Sequence, residues 1–274
     1  MFEYMLAPFV ACMLLVAIHS YLGLHVIARE VIFVDLALAQ VAALGTVSGM
    51  LLGVHSGSDL NYVFAFGFVA IGALLFALTR TGARGRVPQE AIIGIVYVVA
   101  TAAALLLADR APQGAEAIKE ILVGSIIWVT WPTILKHLAI PYALLGLFHW
   151  VLRHRFLTIS FHPAEAERQG WRIKWWDFWF YLSFGAVIIF SVPVAGVLMV
   201  FTFLVVPAAI AFLFTRSLRL LAIISWVSAA LASLLGLWIS YRFDLPTGPL
   251  IVCTYGVLLA VAGGLRRLGV GATT

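Results

Sequence analysis

Asp35 and Glu90 each lie in an otherwise apolar run, with Gln40 and Tyr97 further along the same two runs. An ionisable group at membrane depth costs at least ~2.5 kcal/mol, so it turns toward protein or water and marks a route for a charged solute. At 100° per residue, Ala39, Ala42, Thr46, Gly49 and Gly53 all fall within about 40° of Asp35, whereas Gln40 points roughly 140° away from it. One carboxylate thus shares a helix face with small residues. Gly45, Gly49 and Gly53, spaced by four, suit a helix-packing seam. Glu90, Gly94, Tyr97, Thr101, Ala104 and Ala108 form a second polar and small stripe, opposite Ile, Val and Leu. Glu90 either lines a pathway or complements the positive end of its own helix. Both readings stand at this point.

Other chemistry is excluded by spacing. His19 and His25 fall on different helix faces. His137, His149, His154 and His162 show no metal-ligand spacing and read as residues of loops and span ends. Cys12 and Cys253 sit in apolar runs without a CxxC pair, as small hydrophobes do. No metal site is legible. None of Lys119, Lys136 and Lys174 follows a glycine, so the chain has no GxxxxGK[ST] phosphate loop and hydrolyses no nucleotide itself.

The elements that must position these residues follow from composition. Of 274 residues, 64% are hydrophobic and 11% charged, against about 45–50% and about 25% in soluble domains. There are too few polar atoms to coat a water-exposed globule, which excludes a soluble enzyme and a disordered or fibrous chain. The net charge of +5 is scattered between apolar runs, as in cytoplasmic loops, and does not form a face for nucleic acid.

Stretches of about 20 apolar residues occur near 5–27, 31–53, 62–79, 90–108, 133–152, 177–195, 196–215, 220–241 and 249–265. An all-α polytopic membrane protein with eight to nine transmembrane helices is expected, 177–215 being open to a different cut around Pro193 and Gly196. With the C-terminus inside, Arg29, Arg80, Arg84, Arg86, Arg153, Arg155 and the later basic residues up to Arg267 share one side. Only Arg110, Lys119, Lys136 and Arg242 fall on the other. The first side is therefore read as cytoplasmic. Trp and Tyr cluster near the interfaces, where they would meet lipid headgroups. The segment Glu116–Trp131 is too short to cross again and reads as an outer-face helix or re-entrant piece.

The cytoplasmic loop 153–176 contains its own helix signals: Pro163 near a start, Glu165 and Glu167 after it, Gly170 as a stop. A short helix there could touch a soluble partner or be an ordinary solvated helix.

The ordered motifs carry a resemblance. Ala28 to Gly45 is similar to the second span of the ABC-3 family of importer permeases for zinc, manganese and iron, Gln89 to Tyr97 to a fourth, Gly196 to Ala211 to a later one, and Asp244 to Val252 to the last outer loop and final helix. The similarity runs through nearly the whole chain in order. It implies a single permease domain over 1–274, with a fold similar to the vitamin B12 importer type. It also implies a homodimer in the bacterial plasma membrane, an ATP-binding-cassette subunit docked inside and an extracytoplasmic metal-binding protein outside. The transported substrate would be a divalent metal, with no cofactor bound by the chain. By the same resemblance His162, Ala164, Glu165, Ala166 and Gly170 belong to the helix that couples to the ATPase, and Asp35, Gln40, Glu90 and Tyr97 are pathway candidates. Where many members carry Asp-Ala-x-Ser-His, this chain reads Leu38-Ala39-Gln40, and an amide binds transition metals less well than an imidazole. Alternatives are a permease for a metal chelate or vitamin, which shares the architecture, and a secondary transporter, which needs no ATPase.

Overall fold

The computed structural model describes residues 2–80, 87–111, 114, 121–122 and 124–268, and every regular element among them is a helix. In chain order they are α1 (Phe2–Ala28), α2 (Val34–Leu51), α3 (Asp59–Leu78), α4 (Gln89–Ala108), α5 (Trp131–Val151), α6 (Arg153–Phe161), α7 (Pro163–Arg168), α8 (Ile173–Ala195), α9 (Val197–Phe214), α10 (Leu218–Phe243) and α11 (Thr247–Arg267). All except α6 and α7 are long and apolar enough to cross a bilayer, which makes nine candidate spans among the described residues. The run over 177–215 divides at Gly196, which turns the chain with φ +75° between α8 and α9. Much of the expected piece over Glu116–Trp131 lies outside the described residues, as do Arg84, Arg86 and Lys119; a 3-10 turn at Ile126–Trp128 belongs to the described remainder. Within α5 the stretch Ile134–Ala139 widens to a π-helix. It precedes Pro141, whose missing N–H leaves a carbonyl of the preceding turn without its helical donor.

The helices fall into two compact units assembled from separated stretches of chain. One comprises Met1–Ile27, Val123–Ala143 and Val194–Thr274. In it α9, α10 and α11 pack on one another. The buried Tyr255 hydroxyl of α11 donates to the Ala229 carbonyl of α10 at 2.9 Å and meets Ser233 Oγ at 3.1 Å, so its polar tip is satisfied inside the apolar packing. The indole of Trp226 donates to the Ala17 carbonyl of α1 at 3.1 Å.

The other unit comprises Ala28–Leu122 and Leu144–Pro193. Here α2 packs on both α3 and α4. At Gly45 a Cβ would lie 2.8 Å from the Phe64 carbonyl oxygen, so any side chain would prise α2 from α3. Gly49 faces Asn61, whose Nδ2 donates to the Thr46 carbonyl at 3.0 Å. Gly53 departs from the expected seam. It lies past the end of α2 with nothing within 4 Å of a Cβ position. Its N–H bonds to Met50, and that of Val54 to Gly49, each at 3.0 Å. Gly53 therefore terminates α2 and packs no helix. Along α4 the stripe from Glu90 to Ala108 is half-buried to buried, while Ile95, Val98, Val99, Leu105 and Leu106 are exposed as a lipid-facing side would be.

Candidate functional site

Asp35 occupies the first turn of α2 and is 2% exposed. A carboxylate there meets the positive end of the helix dipole. The first turn of α4 brings Glu90 to the same place. Glu90 Oε1 accepts the N–H of Phe33, the residue before α2, at 3.0 Å. Glu90 thus serves the neighbouring helix, where the first N–H groups have no partner inside the helix. The remaining oxygens, Asp35 Oδ1 and Glu90 Oε2, are buried with no hydrogen-bond partner among the described residues. The two carboxylates lie near enough to act on each other electrostatically. Carboxylate oxygens such as these suit a cation of the hard, oxygen-seeking kind.

Beyond Asp35 its face of α2 continues as Ala39, Ala42 and Thr46. These residues line a cavity of about 160 Å³ together with Asn61 and Tyr62 of α3 and Ile188, Ile189 and Val192 of α8. At ~30 Å³ for each water, that space holds a small ion with several of its waters. Gln40 is buried on another face of α2, and Tyr97 is half-buried two turns along α4 from Glu90; like Asp35 and Glu90, neither lines the cavity. Of the four pathway candidates, Asp35 and Glu90 come together, and Gln40 and Tyr97 stand apart from them. Among the described residues, no group of three or more His, Cys, Asp and Glu is placed to hold a metal ion.

The second polar region is the helix α7. Pro163 opens it after His162. At its end Gly170 adopts φ +68°, which L side chains rarely take, and its N–H bonds to Glu167 while that of Trp171 bonds to Ala166 at 3.1 Å. This pair of bonds satisfies the last carbonyls and is why a glycine stands there. Ala166 is buried; Ala164, Glu165 and Gly170 are exposed, as is His162. Gln169 Nε2 donates to Glu165 Oε1 at 3.0 Å. Arg155 of α6 lies 4.0 Å over the Trp171 ring and holds the returning chain against α6.

Two features escaped the sequence reading. Asp177, in the second turn of α8, is fully buried and pairs with both Arg29 and Arg80, two residues taken above as loop charges. His149 is not an interfacial side chain: it is 3% exposed, meets Ser183 Oγ at 2.9 Å and packs on Phe156 and Phe180. A signal for Asp177 did exist. It is an acid opening an apolar run, at the same expected depth as Arg29 and Arg80, and buried acids need basic partners.

Nine candidate spans, paired carboxylates inside one compact unit and an exposed helix between two spans define a multi-pass membrane transport protein. The chain belongs to the ABC 3 transport family, whose model matches residues 1–263. It is 26% identical over 219 residues to the manganese transport system membrane protein MntC of Listeria monocytogenes, covering 76% of each chain. Its fold is similar to PsaBC from Streptococcus pneumoniae, solved in complex with Fab, with a TM-score of 0.77 at 21% identity over 95% of this chain and 91% of that one. It is also similar to a transporter described as of the metal-chelate ABC type in an inward-facing conformation, with a TM-score of 0.67 at 17% identity over 94% and 85% of the two chains.

Proposed function

We propose that this chain is the membrane permease of an ATP-driven importer of divalent metal ions (zinc, manganese or iron), working by alternating access as a homodimer. Family membership over residues 1–263 carries the reading, and manganese is favoured among the three metals by the name of the Listeria relative. The donors at the candidate path point the same way. Asp35 and Glu90 offer carboxylate oxygens, which suit manganese better than zinc.

In this mechanism Asp35 and Glu90 attract the ion about one helical turn before the cavity, and the small face of α2 lets it pass with part of its water. A path must bind weakly enough to release its ion, and two carboxylates without a third anionic or imidazole ligand fit that demand. The helix α7 docks on a separate ATP-binding-cassette subunit, a role supported by its exposed surface and its position between two spans. Differential contacts of that subunit with α7 in its nucleotide states shift the permease between inward- and outward-open forms. A binding protein delivers the metal from outside. The excess of Lys and Arg on one set of loops puts that set, the 153–176 loop and the C-terminus in the cytoplasm of a bacterial inner membrane.

The test is uptake of manganese, zinc and iron by cells lacking this chain and complemented with it or with Asp35→Asn. Metal-dependent loss and rescue supports the reading. A chelate or vitamin permease would show full uptake with Asp35 neutralised.

A further inference from the structure

Both oxygens of the buried Asp177 carboxylate are engaged. Arg29 Nη1 donates to Oδ1 at 2.7 Å, and Arg80 Nη1 donates to Oδ2. Arg29 also donates through Nε to Ser160 Oγ at 2.7 Å and lies 3.8 Å over the Phe180 ring. The Arg29 side chain is 4% exposed and that of Arg80 22%. Four parts of the chain therefore join one network around this carboxylate: the turn between α1 and α2, the residue that follows Thr79 after α3, the last turn of α6 (through Arg29) and the second turn of α8. Lys174 adds a further tie from α8 to the Leu78 carbonyl of α3 at 2.8 Å. Low local dielectric makes each member of such a network depend strongly on the others. A guanidinium that left its place would leave buried charge uncompensated.

The ends of this network matter. Ser160 stands three residues before Pro163, where α7 begins. Arg29 stands six residues before Asp35, at the start of the helix that walls the cavity. Arg80 follows α3, which supplies Asn61 and Tyr62 to the same cavity. We infer that the Ser160–Arg29–Asp177–Arg80 cluster is the joint that passes displacement of α7 to α2 and α3, with Ser160 and Arg29 acting as positioning residues for transport. This inference rests on the reading of the chain as an ATPase-driven permease. A push on α7 moves α6, the Ser160 hydroxyl carries Arg29 with it, and Asp177 shares the shift with Arg80. A staple with a purely structural role would hold the same groups together without linking ATP use to ion movement.

The experiment reconstitutes the full permease with its ATPase subunit and binding protein. ATP hydrolysed and metal taken up (manganese, zinc or iron, whichever the wild type accumulates) are measured in the same vesicles. Ser160→Ala removes one acceptor and leaves the ion pairs. Arg29→Lys keeps the charge and loses the forked geometry. In both, metal moved per ATP is expected to fall by at least about five-fold, the low end of site-to-site coupling. Assembled yield and melting temperature should stay near wild type, and Ser160→Thr should restore the ratio. A structural role would lower yield, uptake and hydrolysis together. An unchanged ratio in Ser160→Ala therefore overturns the joint while leaving the transport reading intact. Wild-type vesicles that hydrolyse ATP and accumulate none of the three metals overturn both.

Discussion

Asp35 and Asp177 are both buried acids, yet they differ in what surrounds them. Asp177 has a guanidinium on each oxygen, whereas Asp35 Oδ1 has no partner among the described residues. The first arrangement satisfies the charge within the protein and the second leaves a donor for a ligand. Asp35→Asn, which preserves shape and removes the charge, is therefore expected to lower metal uptake about ten-fold, equivalent to ~1.4 kcal/mol, with Glu90→Gln moving in the same direction. Gln40→Ala, on another face, should change uptake far less. Transport assays at matched permease levels check all three. Removing one partner of a buried pair costs about 3–5 kcal/mol. Asp177→Leu should accordingly lower the melting temperature of the detergent-solubilised protein, measured by thermal unfolding, much more than Asp35→Asn does.

Among the elements, α7 and the α2–α3 pair make the sharpest demands on sequence. Forcing a β-branched residue into the left-handed conformation at Gly170 costs about 1–2 kcal/mol. A six-residue helix has little to set against that. Gly170→Val should unwind the end of α7 and abolish copurification of the ATPase subunit, while the melting temperature of the isolated permease barely shifts. Gly45→Leu should do the opposite, separating α2 from α3 and lowering stability, because the Phe64 carbonyl leaves no room for a side chain. These elements were largely legible beforehand. Nine apolar runs announce nine helices because lipid demands about 20 residues of hydrocarbon for each span. Pro163 and Gly170 announce α7 through fixed backbone preferences. Gly53 was misread because a four-residue spacing does not show where the helix stops. Asp177 itself carries a signal, but its partners do not, because charges near span ends read alike whether they reach solvent or one another. Only packing brings Arg29 and Arg80, separated in the chain, onto a single carboxylate and Ser160 onto Arg29.

Taken whole, the molecule depends on a direction across the membrane. The proposed orientation has α7 in the cytoplasm and the α2–α3 turn around His55 outside. In a Cys253→Ser background, where Cys12 is buried, a cysteine at Glu167 should react with a membrane-impermeant maleimide only after cells are opened. A cysteine at His55 should react in intact cells. In the proposed mechanism this chain is a gate without an engine of its own. The most direct measurement is metal accumulation in proteoliposomes that hold the permease alone or the permease with its ATPase subunit and binding protein. Concentrative uptake that requires ATP and both partners is the predicted result. Accumulation by the permease alone, or uptake indifferent to ATP, would contradict the account.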